Sequence, residues 1–115
     1  MLPLDICQEM KAAGAEQILR VGSFCYQVHD GVCGTEPSLC TTFETACFLS
    51  EHCYIKIHSL SELLEMCKEL SPRYIDLVWN GRTWKASDVV INSHQYGDTP
   101  EIAVARLWLK LVKGE

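Results

Sequence analysis

Tyr74-Ile75-Asp76-Leu77-Val78-Trp79-Asn80-Gly81-Arg82-Thr83-Trp84-Lys85-Ala86 is the stretch on which the fold class turns. Two runs rich in β-branched and aromatic residues flank Asn80-Gly81, the dipeptide preferred in a type I′ hairpin turn. A two-residue turn there pairs Leu77 with Trp84 and Asp76 with Lys85. That register gathers Ile75, Leu77, Trp79, Trp84 and Ala86 on one face and sets an opposite-charge pair on the other. Arg82 then falls on the apolar face, beside the turn. An apolar sheet face must be covered, so the hairpin predicts helices that lie on it.

Two amphipathic segments answer that need. Ser59 and Glu62 have capping-box spacing, and Leu60, Leu63, Leu64 and Cys67 follow at helical intervals, predicting a helix over 59–70 that Pro72 ends. Its carboxylates, Glu62, Glu65 and Glu69, read as a wet face rather than an acid–base pair. Thr99-Pro100-Glu101 opens a second helix over 100–112, with Val104, Leu107, Trp108 and Leu111 on one stripe and Arg106, Lys110 and Lys113 opposite.

Upstream, Pro3 to Ala13 reads as a helix with Gly14 at its left-handed end. Phe24, Tyr26 and Val28 alternate with Cys25, Gln27 and His29 as in a half-buried strand. Ile18 to Val21 is expected to pair with it across Gly22-Ser23. Thr41 and Glu44 have capping-box spacing for a helix to about Glu51, Cys53 to Ile57 reads as a short strand, and Val89 to Ile91 as another. His29 and His94 read as turn or loop residues. Together these elements predict an α+β protein: an antiparallel sheet with hairpins, covered by helices in an α/β sandwich, as a single domain over 1–115.

The chain of 115 residues is 48% hydrophobic and 22% charged, an ordinary globular composition. Its formal charge of −5 opposes nonspecific binding of nucleic acid. No apolar run is long enough to span a membrane, and the start lacks the pattern of a signal peptide. The expected location is therefore the cytoplasm, with the seven cysteines reduced.

Five of those cysteines, Cys25, Cys33, Cys40, Cys47 and Cys53, lie close together in sequence with His29 and His52 among them. Zinc sites use ligand pairs two to four residues apart, whereas these cysteines are spaced six to eight apart, so no metal or other cofactor is expected. A thiol nucleophile needs a base in hydrogen-bond reach, and adjacency of His52 and Cys53 does not supply that geometry. There is no Gly-x-Ser-x-Gly elbow and no phosphate-binding glycine loop. No catalytic residue is assigned. Trp79 and Trp84, with Arg82 between them, can form either core or a stacking platform for a partner. Trp84 is expected to be buried under the helices. Trp79 and Arg82 are the candidate partner-binding residues.

The runs Trp84-Lys85-Ala86, Gly97-Asp98-Thr99-Pro100-Glu101-Ile102-Ala103 and Ala105-Arg106-Leu107 resemble small phage and prophage proteins of the phage ABA sandwich domain family. Pro37-Ser38-Leu39-Cys40-Thr41-Thr42 with Phe43 to Leu49 looks like an earlier helix entry in the same proteins. The sequence departs from their pattern at 17–29, in its cysteine density and at Trp108. The resemblance implies a bacteriophage or prophage accessory protein and brings no catalytic residue with it. The expected function is a non-enzymatic binding protein that acts on a host component, with inhibition of a defence system as its sharpest form. The alternatives are a small Cys/His-dependent enzyme or ligand-binding protein, and a homo-oligomeric structural or packaging accessory. The expected partner is a protein rather than nucleic acid or membrane.

Overall fold

Thr99 starts the C-terminal helix as its sequence requires: extended itself, it accepts the Ile102 N–H at 3.2 Å through its hydroxyl, with Pro100 in the first helical position. The computed structural model describes residues 1–29, 32–34, 36–39, 54–70, 75–88 and 93–114. In order they form α1 (Leu4–Ala12), β1 (Phe24–His29), β2 (Val32–Cys33), β3 (Ser38–Leu39), β4 (Tyr54–Ile57), α2 (Leu60–Leu70), β5 (Ile75–Trp79), β6 (Trp84–Asp88), β7 (Ser93–Gly97) and α3 (Pro100–Lys113). The protein is α+β, with two antiparallel sheets among the described residues. Its chain gathers into two compact units, Leu2–His58 and Ser59–Glu115. The predicted helix after Thr41, the strand Val89 to Ile91, and Cys40, Cys47, His52 and Cys53 lie outside the described residues.

In the first unit, α1 ends in a Schellman motif. Gly14 takes φ +93°, Ala15 N–H donates to Met10 O at 2.9 Å, and Gly14 N–H donates to Lys11 O at 3.1 Å. Ile6, Cys7 and Met10 are its buried face. β1 is the hub: β2, β3 and β4 all pair with it antiparallel. Phe24 stands across from both Leu39 of β3 and Ile57 of β4.

That double pairing explains why Ile18 to Val21 is not the expected strand. Both edges of β1 at Phe24 and Cys25 are already taken. Arg20 to Ser23 instead closes a turn, with Ser23 N–H donating to Arg20 O at 2.9 Å and Gly22 in third place at φ +94°. The segment before it seals the outer edge of β4: the Gln17 carboxamide accepts the Lys56 N–H at 2.8 Å, and the Tyr54 hydroxyl donates to the Gln17 carbonyl. Leu19 packs into the core with Cys25 and Tyr54.

The second unit carries the predicted hairpin. The Ser59 and Glu62 capping box forms reciprocally, at 3.3 Å and 3.0 Å, and Leu63 and Cys67 of α2 are fully buried. The sheet order is β5-β6-β7, with α3 packed on β6 and β7 and α2 reaching both α3 and β5. Burying Val104 and Leu107 on α3 stabilises this layer by about 1.5–3 kcal/mol each. Gly114, at φ +72°, ends the helix.

The hairpin register differs from the expected one by two residues. Trp79 stands across from Trp84, Val78 from Lys85 and Leu77 from Ala86. The turn is centred on Gly81-Arg82 rather than Asn80-Gly81. Asn80 Oδ1 accepts the N–H groups of Arg82 and Thr83 at 3.0 Å and 2.9 Å, and Asn80 N–H donates to Thr83 O at 3.1 Å. The asparagine side chain thus accepts the Thr83 N–H that its own carbonyl would accept in a regular two-residue turn. Gly81, at φ +96°, occupies the first central position, where a type II′ turn puts glycine. A shift of two keeps every side chain on its expected face, but it separates Asp76 from Lys85 and moves Arg82 into the loop.

β7 is not expected from the sequence, and His94 lies in this strand rather than in a loop. Ser93, His94, Gln95, Tyr96 and Gly97 lack apolar alternation, and the strand forms because β6 offers a free edge, with Ser93 opposite Asp88 and Gly97 opposite Trp84. Gly97 is also where the sheet meets α3. A Cβ there would sit 2.5 Å from the Ala103 nitrogen and 2.7 Å from Ile102 Cγ2.

Candidate functional site

Side-chain alternation along β5 sends Ile75, Leu77 and Trp79 to the face that the helices cover. Burial fades along the strand: Ile75 and Leu77 are partly buried, and Trp79 at the turn is 50% exposed. α3 lies over β6 and β7, leaving the end of β5 beyond it. Trp84 is half-buried rather than buried as expected: it opposes Trp79 in the last pair before the turn, at the open end of the sheet. The two indoles stand as a directly opposed cross-strand pair, with ring centroids 5.6 Å apart and planes tilted by 50°.

Arg82 is exposed in the adjoining turn and has no ion-pair partner among the described residues. The two sequence-nominated residues, Trp79 and Arg82, therefore share one tip, three residues apart on a turn fixed by Asn80 and by the Asn80 Nδ2 to Thr83 Oγ1 bond of 3.2 Å. A flat aromatic and an exposed guanidinium on a braced loop suit recognition of another surface. Both residue types are enriched where binding energy concentrates.

The sequence reading missed the other face of the same sheet. Val78, Lys85 and Tyr96 form one row across β5, β6 and β7. Val78 is 46% and Tyr96 43% exposed, and the Tyr96 ring meets His94 edge-on at 5.6 Å. This row could not be found without the corrected register and without β7. The hairpin tip thus presents apolar surface on both sides of the strand end.

Two buried thiols, Cys7 and Cys67, are shielded from solvent. Burial, with Asp88 adding to it, pushes the Cys67 thiol up to about 12, and burial with Asp5 pushes Cys7 up to about 11. Such groups are protonated and poor nucleophiles near neutral pH. Cys25 is fully buried in the first unit, and its neighbour Tyr26 donates its hydroxyl to Leu2 O at 3.0 Å. Lys56, also buried, holds Glu16 at 3.4 Å. Among the described residues no three His, Cys, Asp or Glu side chains converge as metal ligands would. No helix among them is long and apolar enough to cross a membrane.

By class, the chain is an α+β protein of small antiparallel sheets and covering helices, with an exposed tryptophan at a hairpin tip. No protein-family model, curated protein or solved structure matches it.

Proposed function

We propose that this protein is a non-enzymatic binding protein that engages a protein partner through the Trp79–Arg82 hairpin tip. One observation carries the reading: an indole 50% exposed beside an arginine with no ion-pair partner among the described residues, on a turn locked by its own asparagine. The raised thiols of Cys7 and Cys67 favour binding over thiol chemistry. The runs around Trp84 and Gly97 to Leu107 that resemble phage ABA sandwich proteins support a phage or prophage accessory role. On that reading the partner is a host component, and the specific proposal is inhibition of a host defence system.

The test is a plaque assay on bacterial strains that each carry one defence system, with the protein supplied in trans. Wild type should restore plaques on at least one strain, and a Trp79→Ala, Arg82→Ala double variant with unchanged melting behaviour should not. Equal rescue by the double variant would remove the tip from the mechanism, and no rescue on any strain would remove the anti-defence role.

A further inference from the structure

Resting on the reading of the hairpin tip as a binding site, we propose that the outer edge of β5 docks an extended acidic segment of the partner, which adds to the sheet as a strand beside Ile75–Trp79. The observation is a difference among three sheet edges, those of β4, β7 and β5. The outer edge of β4 is closed by the Gln17 side chain on the Lys56 N–H. At β7, Arg106 Nη1 donates to Tyr96 O at 2.7 Å. β5 lies at the margin of its sheet with no such cover among the described residues.

Strands at sheet margins are ordinarily blunted by proline, lysine, a bulge or a covering segment. β5 has neither proline nor lysine, and its five residues pair with β6 without a break. Its exposed end carries Val78 and Trp79, on opposite faces of the strand. An added strand gains main-chain hydrogen bonds from the edge and side-chain contacts from both faces, the recognition mode of strand addition.

Charge selects the occupant. Lys85 stands directly across from Val78, one strand in from the edge, and Arg82 stands at the tip. Neither has an ion-pair partner among the described residues, in a chain whose formal charge is −5. Asp76 is the one carboxylate of β5, and it lies toward the far end, across from Ser87. An incoming strand therefore meets cations at the turn end. Carboxylates there, beside a residue that can stack on Trp79, complement the site.

Three series of short synthetic peptides test this on the full chain, identical in apolar pattern and carrying acidic, uncharged or basic residues at alternate positions. The acidic series should bind most tightly and protect β5 amides from hydrogen exchange. Arg82→Glu with Lys85→Glu should weaken that binding by about tenfold or more. Equal affinity for the basic series, or binding that leaves β5 exchange unchanged, overturns the proposal. So does concentration-dependent protection of β5 without peptide, which would make a second copy the occupant. Uncharged peptides that bind as tightly as acidic ones and are lost in Trp79→Ala overturn the acidic preference while leaving the hairpin reading standing. If no series responds to Trp79→Ala, both fall.

Discussion

Replacing Gly97 by alanine tests how the sheet and its covering helix are joined. The new Cβ would lie 2.5 Å from the Ala103 nitrogen, 2.7 Å from Ile102 Cγ2 and 2.9 Å from the Ile102 carbonyl carbon. Two of these three atoms are backbone of the first turn of α3, so no side-chain rotation relieves the overlap. The turn must retreat, and Ile102 N–H is the group that Thr99 caps. Overpacking costs about 1–3 kcal/mol, and loss of the cap adds about 1 kcal/mol. The expected destabilisation is about 2–4 kcal/mol, read as a shift in the urea midpoint at constant slope. Gly81→Ala is the control, since its Cβ meets nothing within 4 Å and only φ +96° opposes it. That position should cost about 1–2 kcal/mol. Adding Ile102→Ala to Gly97→Ala should not rescue it, because the backbone clash remains. A Gly97→Ala cost below that of Gly81→Ala, or full rescue by Ile102→Ala, would refute the close approach.

Three further outcomes follow from the same geometry. Trp84→Ala, at a half-buried position, should cost about 1–3 kcal/mol, less than the 3–5 of a fully buried tryptophan, and Trp79→Ala under about 1 kcal/mol; a chemical melt of each decides it. Asn80→Ala removes the acceptor of two turn N–H groups in an exposed loop and should cost about 1 kcal/mol, with amide shifts by NMR confined to 79–84. The buried thiols set an alkaline limit. Their folded pKa values lie above the ordinary 9.0, so the unfolded chain loses these protons first. Their contribution is full below pH 9 and declines as pH rises toward about 11 for Cys7 and about 12 for Cys67. Cys67→Ala should flatten that decline in melts run between pH 8 and 11, and an unchanged slope would show that Cys67 is not desolvated.

Local chemistry made much of the fold legible in advance. The Ser59 and Glu62 box, the Thr99 and Pro100 helix start, and Gly14 after α1 all involve neighbours within a few residues, and each stands where its sequence puts it. The face assignment of the hairpin held because strand parity survives a shift of two residues. The turn centre did not, because Asn80 can serve either as the first turn residue or as the cap beside it, and a dipeptide preference cannot choose. Ile18 to Val21 had the composition of a strand, but β1 had no edge left for it. β7 had little strand character, and it forms because β6 had an edge to give.

The candidate site divides the same way. Sequence named Trp79 and Arg82, since an aromatic and a guanidinium flanking a turn are visible in one dimension. Whether Trp79 was core or surface depended on where α3 lay across the sheet, and the row of Val78, Lys85 and Tyr96 depended on the pairing of three strands. Capping, helical periodicity and strand parity are set by residues within a turn or two of one another, so the sequence determined them by itself. Register, edge occupancy and exposure are settled by competition among segments distant in the chain for the same hydrogen bonds and the same apolar cover, and only the tertiary structure decided them.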